Sequence, residues 1–259
     1  MRLSVCIEMI FTELPFLDRI AAVAEAGYGA VEFWRWRDKD LEATGRAARQ
    51  AGVDIAGMVL EMRASLVDPD ARDGIVVDAG ESIKAARALG CGTLIATTGN
   101  ERPGVARAEQ HAAIVANLRA VAPLAEAAGV IVVLEPLNTL VDHAGYYLTG
   151  ADEGAEIVRE VGSPAVRLLF DIYHQQVTEG NLWARLEMHR ELIGHIHVAG
   201  VPGRHDPGHG EINYPFLMDG LRAWPYTGSI GLEYRPLGPS RESLLRAAQL
   251  LGGSLDPGR

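Results

Sequence analysis

The chain has 259 residues, 48% of them apolar and 22% charged, with a formal net charge of −10. That length suits one large α/β barrel and buries a sizeable core, while an acidic balance without a Lys/Arg cluster argues against a nucleic-acid partner. The two cysteines, Cys6 and Cys91, each lie in an apolar run and read as buried free thiols rather than a disulfide framework.

In chain order, MRLSVCIEMI opens a first strand over 3–9. Glu8 interrupts the apolar region that a signal peptide would need, and no cleavage site follows. No later stretch reaches the ~18 apolar residues of a membrane helix. The cytoplasm is therefore the expected compartment, with no membrane partner. FLDRIAAVAEAG (16–27) has the helical period and ends in Gly before a strand over 30–34. The same joint recurs in RQAGVDIAGMVL, before a strand over 53–60, and in ESIKAARALG (81–90), before one over 92–98. AAIVANLRAVAPLAEAAG (112–129) leads to a strand over 130–135. EVGSPAVRLLFD and ELIGHIHVAG carry strands over 166–171 and 194–199. A last strand over 228–234 precedes the helical SRESLLRAAQLL (240–251).

Glycine at each joint suits the left-handed residue that ends a helix, and continuous apolar strands suit a parallel sheet covered by helices. Eight such units predict a single-domain α/β fold over residues 1–259, a closed (β/α)8 TIM barrel. The competing doubly wound sheet more often carries a glycine-rich phosphate loop after its first strand; here the chain reads EMIFTELPFLDR.

Active sites of such barrels sit at the C-terminal ends of the strands. Four consecutive strand ends bear chemistry: Glu135 in VIVVLEPLN, Asp171 and His174 in VRLLFDIYH, His195 and His197 in HIHVAG, and Glu233 in GLEYRP. Carboxylates are rarely buried without a partner, and crowding three together raises their pKa values unless a cation is present. One divalent metal ion resolves this, against the blander reading of structural ion pairs. Oxygen-rich ligands with one imidazole suit Mn2+, Mg2+, Co2+ or Zn2+ alike. Glu8 and Glu32 fit either a pocket residue or a paired structural carboxylate. Trp34 and Trp36, alternating after strand two, line the pocket or meet a lid. Glu61 and Arg63 read as an ion pair or as solvated, and His143 lies in a loop on the catalytic side. His111 and His189 fall in helices and read as surface residues. His195 packs in the barrel or backs up a ligand, with direct ligation the alternative, and His205 and His209 lie in a loop, facing solvent or touching substrate.

These residues resemble the hydroxypyruvate isomerase family, within the xylose isomerase-like TIM barrels. The resemblance runs from FLDRIAAVAEAGYGAVEF through LEPLN, YYLTG and FDIYHQQ to PGRHDPGHGEINY and GLEYRP. It implies that Glu135 and Glu233 are paired catalytic glutamates that also reach the metal, with Asp171 and His197 as further ligands. It implies substrate contacts from His174 and Arg204; Glu8 and Trp34, at the ends of strands one and two, complete the expected substrate-binding set. His197 stands where hydroxypyruvate isomerases typically carry Gln and ketose 3-epimerases carry His. Cys6 stands where the family often has Asn, and LEMRASLVDPD replaces its usual segment after strand three. The implied reaction moves a proton between adjacent carbons of a small hydroxy-carbonyl substrate through a cis-enediolate. A ketose 3-epimerase is the alternative, and an endonuclease-like barrel, which needs histidines on more strands, a distant one. A homo-oligomer, dimer or tetramer, is implied by the resemblance.

Overall fold

The computed structural model of the protein describes residues 1–252, so 253–259 of the predicted domain lie outside the described residues. Among the described residues the strands are β1 (Arg2–Cys6), β2 (Ala30–Phe33), β3 (Asp54–Val59), β4 (Thr93–Ala96), β5 (Ile131–Leu134), β6 (Val166–Asp171), β7 (Ile193–Val198) and β8 (Ser229–Leu232). They pair in parallel, in sequence order, and β8 closes on β1. The helices α1 (Phe16–Glu25), α2 (Leu41–Ala51), α3 (Arg72–Leu89), α4 (Arg107–Ala128) and α5 (Ala151–Val161) follow β1 to β5 in turn. Two helices, α6 (Ile172–Thr178) and α7 (Leu182–His189), follow β6, while α8 (Tyr214–Arg222) and α9 (Ser240–Leu251) follow β7 and β8. The fold is a single-domain (β/α)8 barrel.

Four details depart from the sequence reading. The first strand ends at Cys6, because the Met9 and Ile10 amides both bond the Cys6 carbonyl at 3.1 Å and turn the chain; Glu8 therefore sits on a turn. Helix α3 begins at Arg72, where Gly74 and Gly80 dilute the helical period. The segment after β6 splits at Gly180 and Asn181, both in the left-handed region with φ of 65° and 50°. His189, read as a surface residue, is buried: α7 packs on α5 and turns its ring onto the Asp152 carboxylate at 2.6 Å. No helix among the described residues is long and apolar enough to cross a membrane.

Strand side chains alternate, so every second residue points into the barrel. Val59, Ile95, Ile131, Val133 and Leu169 form an apolar layer there. The outward residues join the helices in the main core, where Val31, Leu94, Val132 and Ile230 are fully buried. Each such side chain contributes about 1.5–3 kcal/mol. The inward positions that follow the apolar layer toward the C-terminal rim are polar, and they build the site.

Candidate active site

The rim takes Glu135 from just past β5, Asp171 and His197 from the ends of β6 and β7, and Glu233 from just past β8. Register sets them side by side, with Asp171 opposite His197 and His197 opposite Gly231. All four are buried, and one ligand atom from each lies within 4.8 Å of the others. His197 Nδ1 stands 3.1 Å from Glu233 Oε2, 3.4 Å from Glu135 Oε1 and 4.0 Å from Asp171 Oδ2. Asp171 divides its labour: Oδ1 caps α6 by accepting the His174 amide at 3.0 Å, and Oδ2 faces the cluster. Glu135 Oε1 and His197 Nδ1 are buried without a hydrogen-bond partner. Unpartnered buried acceptors beside three carboxylates are what a divalent cation would satisfy, so the donor set fits a single metal ion.

The electrostatics point the same way. Burial pushes the Glu135 carboxyl up to about 7, against the pull of His197. Burial acts on Glu233 too, but Arg204 and His197 outweigh it and hold that carboxyl well below the usual range. Burial works against charge on His197, yet Glu233, Glu135 and Glu32 hold its pKa well above the ordinary value. Protons and Arg204 thus supply the positive charge that these acids demand.

Behind His197 lies a second buried layer. Glu32 Oε2 accepts from Nε2 of both His197 and His195 at 3.1 Å, and the Ser4 hydroxyl donates to Glu32 Oε1. Burial raises the Glu32 pKa, but the two imidazoles hold it well below normal. The sequence reading left Glu32 and His195 open; the structure makes them one hydrogen-bonded group beneath the rim.

In front of the cluster, the Trp34 indole N–H donates to Glu233 Oε1 at 2.7 Å, and Cys6 Sγ lies 4.0 Å from the same oxygen. Arg204, left-handed at φ 56°, bonds Glu233 Oε2 and reaches within 3.6 Å of Asp171 Oδ2. Its guanidinium lies over the Tyr173 ring, 5.3 Å from the centroid. His174 Nδ1 accepts from the Asn138 amide at 3.1 Å, so Nε2 carries the hydrogen. That Nε2 is buried and unpartnered, 3.7 Å from Asp171 Oδ2, and burial lowers the ring pKa to about 4. A neutral imidazole thus presents a free N–H donor to the site. His143 packs against it at a tilt, with ring centroids 5.3 Å apart and planes at 53°. Glu8 lies within 3.1 Å of Lys39 Nζ, a partner from the loop after β2 that the sequence reading missed. Glu61 and Arg63 do not pair with each other: Glu61 accepts the Trp36 and Arg37 amides, and Arg63 bonds Asp78.

The family described as xylose isomerase-like TIM barrel matches residues 20–251. The chain belongs to this family. A 2-oxo-tetronate isomerase of Cupriavidus necator is 34% identical to it, over 91% of this chain and 93% of that protein. The hydroxypyruvate isomerase of Escherichia coli K12 is 31% identical, over 91% and 94%. Among solved structures, one from Brucella melitensis described as AP endonuclease, family 2, is 30% identical with a TM-score of 0.91, covering 96% of this chain and 99% of its own. Curated relatives of this xylose isomerase-like barrel are thus named isomerases, in agreement with the resemblance read from the sequence.

Proposed function

We propose that this protein is a metal-dependent isomerase that moves a proton between adjacent carbons of a small hydroxy-carbonyl acid, with Glu135 and Glu233 as the transferring pair. The isomerase class rests on the family and its named relatives. One observation carries the finer reading: two glutamates from strands on different sides of the cluster converge with Asp171 and His197 on one point of the rim. Glu135, Asp171, His197 and Glu233 would hold the ion. When bound, a divalent cation supplies positive charge beside the substrate's carbonyl and hydroxyl oxygens, where negative charge develops.

The protein's own groups do the rest. One glutamate accepts the proton from carbon and the other returns one to the neighbouring carbon. They are not equivalent. Glu233 has both oxygens engaged, by Trp34 on one and by Arg204 on the other. Glu135 keeps Oε1 free. His174 offers its Nε2–H to a substrate oxygen, and Arg204 steadies charge from the loop after β7.

A ketose 3-epimerase would use the same pair, so substrate charge separates the two readings. A cavity of about 350 Å3 opens on the β3–β4 side of the rim, lined by Arg35, Val59, Glu61, Arg63, Ser65 and Thr97. Ile95 pairs with Val133, which puts Thr97, two residues on, beside Glu135. Arg35 makes no hydrogen bond among the described residues; its nearest carboxylate oxygens lie at 3.6 and 3.9 Å. An exposed guanidinium there, held only by two loose ion pairs to Glu61 and Asp38, favours a carboxylate-bearing substrate over a neutral ketose. A phosphodiesterase centre is disfavoured by the single imidazole in the cluster and by the net charge of −10.

The test is incubation of the metal-loaded protein in D2O with hydroxypyruvate, 2-oxo-tetronate and a neutral ketose. Isomerisation of an acid, with deuterium entering carbon, supports the proposal. Deuterium at C3 of a recovered ketose, without turnover of either acid, overturns it in favour of an epimerase.

A further inference from the structure

Glu32 lies on β2, on the opposite side of the barrel from the ligands of β5 and β6, and only 2% of its surface is exposed. A carboxylate there is costly, and an apolar side chain would fill the same space more cheaply. The barrel instead makes room for it. A Cβ on Gly231 would sit 2.6 Å from Glu32 Oε1, and one on Gly57 would sit 3.3 Å from Oε2. Every acceptor is then used, Oε1 by Ser4 and Oε2 by His195 and His197. The His195 ring also braces the His197 ring edge-on, with centroids 4.9 Å apart at 85°.

The consequence falls on His197. An imidazole that donates through Nε2 has Nδ1 left as its ligating nitrogen, and a carboxylate partner raises the basicity of that nitrogen. Nδ1 is the atom that faces Glu135, Asp171 and Glu233. We propose that Glu32 is a positioning residue: by holding Nε2–H of His197, it sets the ring's orientation and hydrogen placement so that Nδ1 can ligate the metal. This rests on the metal-dependent reading above. A competing role is open to the same atoms, since Glu32, His195 and His197 also lie close enough to hold a cation themselves. The 3.1 Å separations are those of N–H···O hydrogen bonds and favour positioning.

Calorimetric titration of the metal-free protein with Mn2+ tests this. The expected result is one equivalent bound by the wild type, and Mn2+ affinity about 10- to 100-fold weaker in Glu32→Gln at the same stoichiometry. Saturating metal should restore most of the kcat of the variant. Unchanged affinity in Glu32→Gln overturns the assignment. So does a second equivalent in the wild type that the variant loses, because Glu32 would then be a ligand. A measurement on the wild type stands apart from the variant's folding: 1H–15N spectra of the histidine rings with and without Cd2+. Metal should move Nδ1 of His197 and leave Nε2 protonated; the reverse overturns the proposal. One tight Mn2+ site with no proton exchange on any hydroxy-carbonyl compound would leave the role of Glu32 intact and remove the isomerase reading instead.

Discussion

Gly231→Ala tests whether the space between the two polar layers is as tight as it looks. The added Cβ would meet Glu32 Oε1 and His197 Cδ2 at 2.6 Å each, and Glu32 Oε2 at 3.0 Å. Comfortable contact begins near ~3.5 Å, so one or both groups must move by about 0.9 Å. Neither moves freely. Glu32 is held by three donors, and His197 has a strand on each side of its own. Overpacking of this kind costs about 1–3 kcal/mol. At about 2–4 °C per kcal/mol for a chain near this size, the metal-free protein should lose roughly 2–12 °C of Tm. Displacing a ligand and its carboxylate partner should also weaken Mn2+ binding by about tenfold or more. Gly57→Ala, whose nearest contact is 3.3 Å, should be the milder change on both counts. Differential scanning calorimetry and isothermal titration read the two effects. Wild-type Tm and wild-type affinity in Gly231→Ala would refute the argument, because the pocket around Glu32 would then have slack.

Glu135→Gln should lower turnover by about 10²–10⁴-fold, as measured by deuterium exchange from D2O, while the Tm of the metal-free protein stays level or rises. A near-normal rate would require another base. Metal-free protein should become less stable as pH rises from about 6.5 to 8. Glu135 and His197 both have folded pKa values raised above the ordinary values for a glutamate and a histidine, so the folded state holds more protons through that window. The lowered carboxyls, Glu32 and Glu233, are ionised there in both states, and the lowered imidazoles, His143 and His174, oppose the trend only below about 6.5, the ordinary histidine value. Thermal melts at both pH values, with and without Mn2+, check this; a flat or rising metal-free Tm contradicts it, and metal should flatten the trend. Arg35→Gln should raise KM for a hydroxy-oxo acid by about tenfold, with little change for a neutral ketose. Equal KM values in variant and wild type would remove Arg35 from substrate binding.

Much of this protein follows from the order of its residues alone. Alternation of apolar strands with Gly-ended helices specifies a barrel, because each strand's period and each helix stop are set locally. The same local logic marks Glu135, Asp171, His197 and Glu233: a charge that ends an apolar strand must lie at the rim. Tertiary structure decided what those residues meet. Glu32 and His197 are 165 positions apart, and Trp34 and Glu233 are 199 apart. Nothing local in either segment announces such a pairing. It arises because closing the barrel brings β2 and β8 against β7's imidazole, Glu32 behind it and Glu233 at the rim, with Gly57 and Gly231 leaving the space. Glu8 shows the converse. Its spacing after strand one left it open between a pocket residue and a paired carboxylate; a turn at Cys6 and the approach of Lys39 from the loop after β2 supply the pairing. Local periodicity fixes which face of a strand a side chain takes; only the packed barrel determines its neighbour, and the chemistry lies in the neighbours.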